Sequence, residues 1–111
     1  MNESAPENEA RAQITIAGQI TVRAEDQDRL VNVLRHHVPE VRRKEGCLAY
    51  SFAVDVLEPG VIRMSELWRD LPSLERHLTS DEFQDTLKQL ADIEFIDRRV
   101  HRFDISGASA I

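Results

Sequence analysis

The sequence is poor in the residues from which most recognisable sites are made. Its 111 residues hold one cysteine, one tryptophan, one tyrosine and four glycines. A single thiol, Cys47, cannot close an internal disulfide, so nothing points to an oxidising compartment. Placed after Gly46 and before an apolar run, it reads as a small buried residue, because no base stands near it in sequence to make a nucleophilic thiolate. The glycines are scattered at 18, 46, 60 and 107, which excludes a glycine-rich phosphate loop. No apolar run approaches the roughly 18 residues of a membrane span. The N-terminus also lacks the charged-then-apolar order of a secretory signal, so the cytoplasm is the expected location. Positive charge is short as well. A net charge of −6 removes the basic face that nucleic acid or anionic lipid would need, and neither is an expected partner. The one basic run, Arg42-Arg43-Lys44, falls where a helix should end, and cations there offset the negative end of the helix dipole.

What is present is the balance of an ordinary single domain, 41% hydrophobic and 31% charged. Residues 1–13 are polar and read as a disordered tail, 14–105 as the folded domain, and 106–111 as a short C-terminal tail. Ile14, Ile16, Gly18, Ile20 and Val22 alternate with polar or small residues, the period of a half-buried strand, and Gly18 marks a bulge or a close approach. The period then changes. Leu30, Leu34, Val38 and Val41 make one helical stripe, with Pro39 expected to kink it and Gly46 to cap it. On that helix His36 and His37 point about 100° apart, which rules out joint metal ligation and reads as two solvated residues.

Leu48, Tyr50, Phe52, Val54 and Val56 alternate again, Glu58-Pro59-Gly60 is turn chemistry, and Val61 to Trp68 completes a hairpin. Asp70 is a good N-cap for a helix from Leu71, and Thr79 with Glu82 forms a capping box for another running from about Ser80 to Ile93. Arg99 to Ile105 has the composition of a last strand. The order β-α-β-β-α-α-β predicts an α+β, ferredoxin-like antiparallel sheet with helices on one face. Its other face would carry Thr15, Ala17, Ala49, Ser51, Ala53, Val61, Ser65 and Leu67, too small and apolar for a face left to water, which predicts a homodimer joined sheet to sheet.

The candidate chemistry gathers on the third strand. Met64, Glu66 and Trp68 share a face, and a carboxylate among apolar residues needs a partner or a raised pKa. His77, one short helix later, is the expected partner. The pair would either hold and deprotonate an aromatic hydroxyl or simply tie strand to helix, with Trp68 in the core. His77 and Asp81, at i and i+4, do not make a closed metal site. His101 falls in the last strand, where a core or interface position is expected.

Glu66-Leu67-Trp68, the Leu74-Glu75-Arg76-His77-Leu78 helix with Ser80 and Phe83, and Gly46-Cys47-Leu48-Ala49-Tyr50 together resemble the antibiotic biosynthesis monooxygenase family, most closely its quinol monooxygenase-like members. The resemblance spans about residues 14 to 105. It implies a dimeric α/β barrel with a small pocket in each subunit. It also implies oxidation of a quinol-like or polyphenolic aromatic with O2 as co-substrate and no other cofactor. Trp68 would be the pocket wall, Glu66 and His77 the polar anchor with His77 the first choice as proton acceptor, and Met64, Tyr50 and Phe83 further lining. Haem-cleaving relatives of the fold use an Asn and a His that would fall near Gly18 and Leu87, and neither residue can serve. A non-catalytic dimeric binding or stress-associated module remains the alternative. An isomerase on the same scaffold is another, with Arg63, Arg69 and Arg76 close in sequence.

Overall fold

Period-two patterning marks three of the sheet's four strands among the described residues. The four are β1 (Ile14–Thr21), β2 (Cys47–Val54), β3 (Val61–Trp68) and β4 (Asp97–Asp104), all antiparallel in the order β2-β3-β1-β4. The computed structural model describes residues 9–111. Of the tail expected over residues 1–13, the first eight lie outside the described residues. Ala12, however, is buried, and the Gln13 amide donates to the Trp68 carbonyl at 3.0 Å, so the ordered chain begins ahead of Ile14. Against the sheet, among the described residues, lie α1 (Gln27–Arg42), entered through a 3-10 turn at Ala24–Asp26, α2 (Leu71–Leu78) and α3 (Asp81–Gln89). This is the expected ferredoxin-like α+β arrangement. None of the helices among the described residues is long and apolar enough to cross a membrane.

Register decides what faces the helices. Ile14, Ile16, Gly18 and Ile20 stand opposite Trp68, Glu66, Met64 and Ile62, so one face of β3 carries the acid, the indole and the thioether together. Two apolar clusters fill the layer between sheet and helices. Val22, Leu30, Leu34, Ile62, Leu90 and Ile93 form one, and Ile14, Val41, Tyr50, Trp68 and Leu74 the other. Each such side chain contributes about 1.5–3 kcal/mol by leaving water. Gly18 marks a close approach: a Cβ there would stand 1.9 Å from the Arg99 carbonyl oxygen of β4.

Several local expectations change. α1 runs through Pro39 to Arg42, and Gly46 (φ +84°) sits beyond it in the turn into β2, where a Cβ would meet Ser73 Oγ at 2.0 Å. β2 has a bulge: Cys47 pairs with Trp68 and Ala49 with Leu67, leaving Leu48 as the extra residue. Asp70 caps α2 by accepting from the Ser73 amide at 2.9 Å. The cap of α3 is Ser80, whose Oγ accepts from the Phe83 amide at 3.2 Å, while Thr79 Oγ1 donates to the Glu75 carbonyl instead. α3 ends at Gln89, short of Ile93, because turns close at Leu90 and Ile93. The last strand begins at Asp97, two residues earlier than its composition suggested. His101 is exposed on the outer face of β4, opposite Ala17, and is not a core residue.

Candidate active site

The helices and the inner face of the sheet border a half-open cavity of about 450 Å³, mostly apolar, to which β4 adds Arg98 and Arg102. Five residues singled out from the sequence line it: Tyr50 from β2, Met64 and Glu66 from β3, His77 from α2 and Phe83 from α3. Trp68 does not line it. The indole is fully buried behind Glu66 and His77, so its expected role as a pocket wall is corrected to that of a support. It stacks on the His77 ring at 5.1 Å and 24°, and its Nε1–H donates to Glu66 Oε1 at 2.8 Å. Glu66 and Trp68 are two residues apart on one strand face, which places the indole N–H beside the carboxyl.

The expected Glu66–His77 pair does not form. Glu66 takes its one hydrogen bond from Trp68, and its second oxygen has no partner among the described residues. Burial pushes its carboxyl up to about 7, the Trp68 bond pulling the other way. A carboxyl balanced near neutrality in an apolar cavity suits a general base.

His77 has the opposite character. Burial, then the positive charge of Lys44, hold its ring down to about 4, so it is neutral at neutral pH. Lys44 Nζ donates to His77 Nδ1 at 2.8 Å. With Nδ1 occupied as an acceptor, the ring proton belongs on Nε2, which has no partner among the described residues. In this arrangement His77 can donate through Nε2 and Glu66 can accept a proton, whereas the sequence-based preference put His77 first as acceptor.

Three further residues belong to the site. His37, expected in solvent, is buried on α1 among Leu30, Leu34 and Val41, whose spacing it shares; that spacing was the signal available in the sequence. Its Nδ1 lies 2.8 Å from Glu82 Oε2 and its Nε2 3.0 Å from the Tyr50 hydroxyl. Glu82 also pairs with Lys44 at 2.5 Å. Burial lowers the His37 pKa in spite of Glu82, while Lys44 and His37 outweigh burial at Glu82 and hold it below the usual carboxylate value. Burial drives the Tyr50 phenol well above its ordinary range, so it stays protonated and donates to His37. His36, by contrast, is exposed, with Nδ1 3.0 Å from the Asn32 carbonyl. Cys47 is half-buried, its thiol pushed up to about 11 by burial and then by Glu66, which leaves it unreactive. Among the described residues no group of three His, Cys, Asp or Glu side chains is arranged to hold a metal ion. Arg63, Arg69 and Arg76 are engaged away from the cavity, with Asp55, with Glu45 and Asp70, and with Ser73.

Comparison with known proteins agrees with this architecture. The structure of a Deinococcus radiodurans protein, provisionally described as an antibiotic biosynthesis monooxygenase, superposes with a TM-score of 0.80, covering 88% of this chain and 97% of that one at 23% identity. A conserved protein from Methanosarcina mazei gives a TM-score of 0.77 over 86% of this chain and 95% of that one at 22% identity. These likenesses establish the fold. An uncharacterised protein of Synechocystis sp. is 25% identical over 80 residues, 72% of this chain and 54% of its own length, so the chain spans about half of that curated relative. The family model described as antibiotic biosynthesis monooxygenase matches residues 13–89, a stretch that contains every cavity residue discussed above. The chain belongs to the antibiotic biosynthesis monooxygenase family.

Proposed function

We propose that the chain is a cofactor-independent monooxygenase that oxidises a quinol-like or polyphenolic aromatic with O2. The observation that carries this reading is the pairing, on one apolar cavity, of a carboxyl poised near 7 (Glu66) with a neutral imidazole N–H (His77). Membership of the family supports the oxygenase half of the proposal.

A hydroquinone bound between the two groups loses its hydroxyl proton to Glu66 while His77 Nε2–H holds the resulting oxyanion. The phenolate is electron-rich enough to pass one electron to O2, and the radical pair joins as a ring hydroperoxide. Loss of water leaves a hydroxyquinone. One oxygen atom stays on the ring and the other leaves as water. All four electrons come from the substrate, so no external reductant is consumed. The protein's part is orientation, deprotonation and a cavity that excludes water, to which Met64 and Phe83 contribute apolar walls.

Chelator-treated protein in an oxygen electrode, offered hydroquinones and anthrone-like phenols, is expected to consume oxygen above the autoxidation of buffer controls. No enzyme-dependent uptake across the panel would count against the proposal and favour a non-catalytic binding module. Turnover that continues without oxygen would indicate an isomerase on the same scaffold.

The partner proposed for the sheet's outer face is a second copy of the chain. Thr15, Ala17, Ser65 and Leu67 lie on that face, and Phe103 of β4 is 53% exposed opposite Thr15. Sedimentation at micromolar concentration is expected to give a dimer, and a monomer would sink the idea.

A further inference from the structure

One ion pair, Lys44 with Glu82, links the His77 and His37 rings. Lys44 Nζ lies 2.8 Å from His77 Nδ1, 3.0 Å from Ser80 Oγ and 2.5 Å from Glu82 Oε1. The other oxygen of Glu82 lies 2.8 Å from His37 Nδ1. An ammonium has only protons to offer, so the His77 nitrogen it touches must be the bare one, and the proton of the neutral ring sits on Nε2. A carboxylate has only lone pairs to offer, so the His37 nitrogen it touches carries the proton, and His37 Nε2 accepts from the Tyr50 hydroxyl. Two rings whose centroids are 6.0 Å apart are thus set in opposite tautomers by a single ion pair. His37 spends its free nitrogen on Tyr50. His77 has Nε2–H left over, its ring held flat against Trp68 and facing the cavity.

We propose that Lys44 is a positioning residue that fixes His77 as a hydrogen-bond donor to the cavity, making there a binding point for the oxyanion of a phenolate. The catalytic meaning of this point rests on the oxygenase reading; the binding point itself does not. Lys44 supplies two things. It locks the tautomer, and it places a positive charge one ring-width behind the N–H, which strengthens that N–H as a donor to negative oxygen. Ser80 and Glu82 hold the ammonium from the α3 side, and the Lys44 side chain is only 22% exposed. The charged and titratable groups around His77 are Lys44 itself, His37 on α1, Tyr50 on β2, Glu66 on β3 and Glu82 on α3, with Arg98 and Arg102 of β4 lining the same cavity; Lys44 is the cation in contact with the ring.

The test combines nitrogen-15 spectra of the histidine rings with binding of 4-nitrophenol, whose yellow phenolate band reports its ionisation. In the 111-residue chain near neutral pH, His77 is expected as the Nε2–H tautomer. In Lys44→Met the ring is expected to protonate at higher pH than in the wild type, because the repelling charge is gone. 4-Nitrophenolate should bind the wild type, weaken by about tenfold in Lys44→Met, and be largely restored in Lys44→Arg. A wild-type His77 with its proton on Nδ1 would overturn the proposal even if Lys44→Met failed to fold. So would absence of phenolate binding by the wild type, or an unchanged ring titration and affinity in Lys44→Met. None of these readouts needs turnover, so the oxygenase reading can fail while this one stands.

Discussion

Glu66→Gln is expected to lower enzyme-dependent oxygen uptake by about 10²–10⁴-fold, the range usually lost with a general base. The amide fills the same space and can still accept from the Trp68 indole, so positioning survives while proton removal does not. The same substitution should stabilise the protein in mild alkali. A carboxyl held near 7 in the folded chain and near its ordinary 4.5 in the unfolded chain makes the native state the stronger proton binder. Stability is therefore highest below about pH 4.5, as far as this group is concerned, and falls as pH rises through about 7, above which the loss is complete. The loss is about 3 kcal/mol for a group this buried, a large part of a small domain's stability. Denaturant unfolding at pH 5 and pH 8 checks it. Wild type should lose stability between the two, and Glu66→Gln should lose much less. If the two proteins responded alike to pH while the variant kept its activity, Glu66 would be neither the buried acid nor the base.

His77→Ala should reduce turnover by about 10²–10³-fold, the usual consequence of deleting one donor to a developing oxyanion. It should leave the pH dependence set by Glu66 in place, because the imidazole stays neutral across the working range. His77→Gln, which keeps an N–H near the former Nε2, is expected to recover part of the loss. Recovery would not occur if His77 were the base. Stability should fall too. The ring is 2% exposed and stacked on Trp68, and emptying that space should cost about 2–4 kcal/mol. Comparing His77→Ala with His77→Gln in both activity and melting temperature separates the chemical role from the packing role. Equal activity in all three proteins would place the oxyanion elsewhere.

Much of the fold was legible in the sequence because β1 and β3 announce their phase by alternation. Ile14, Ile16, Gly18 and Ile20 on β1 and Met64, Glu66 and Trp68 on β3 share a face that simple alternation assigns. The same rule put Met64 and Glu66 on the cavity face, whereas His77 was placed there as the expected partner of Glu66, and Tyr50 and Phe83 through the family resemblance. The partners of those residues were not legible. Glu66 bonds to its near neighbour Trp68 and not across to His77, and period two says which face a side chain joins but not which neighbour it touches. Lys44 looked like a helix-end cation and Glu82 like half of a capping box. Each has a local explanation that satisfied the sequence, and only the meeting of α1, α2 and α3 reveals their common use. His37 was misread for a different reason. Beside His36 it looked like half of a polar pair, although its spacing from Leu30, Leu34 and Val41 put it on the buried stripe.

The extra residue in β2 has a consequence for which parts of the chain can vary. Ahead of Leu48 the odd position, Cys47, points inward; beyond it the even ones, Tyr50, Phe52 and Val54, do. Leu48 is thus a phase shifter between two stretches of one strand. The turn at Lys44–Gly46 and the strand beyond it are decoupled to that extent, each free to keep its own alignment with β3. Losing the one residue at 48 would leave Cys47 opposite Trp68, Ala49 opposite Leu67 and Tyr50 opposite Glu66 in unbroken alternation, so the Tyr50 hydroxyl would keep its place beside His37. The bulge is therefore a place where the chain can lose one residue while the phenol–imidazole pair keeps its face of the sheet.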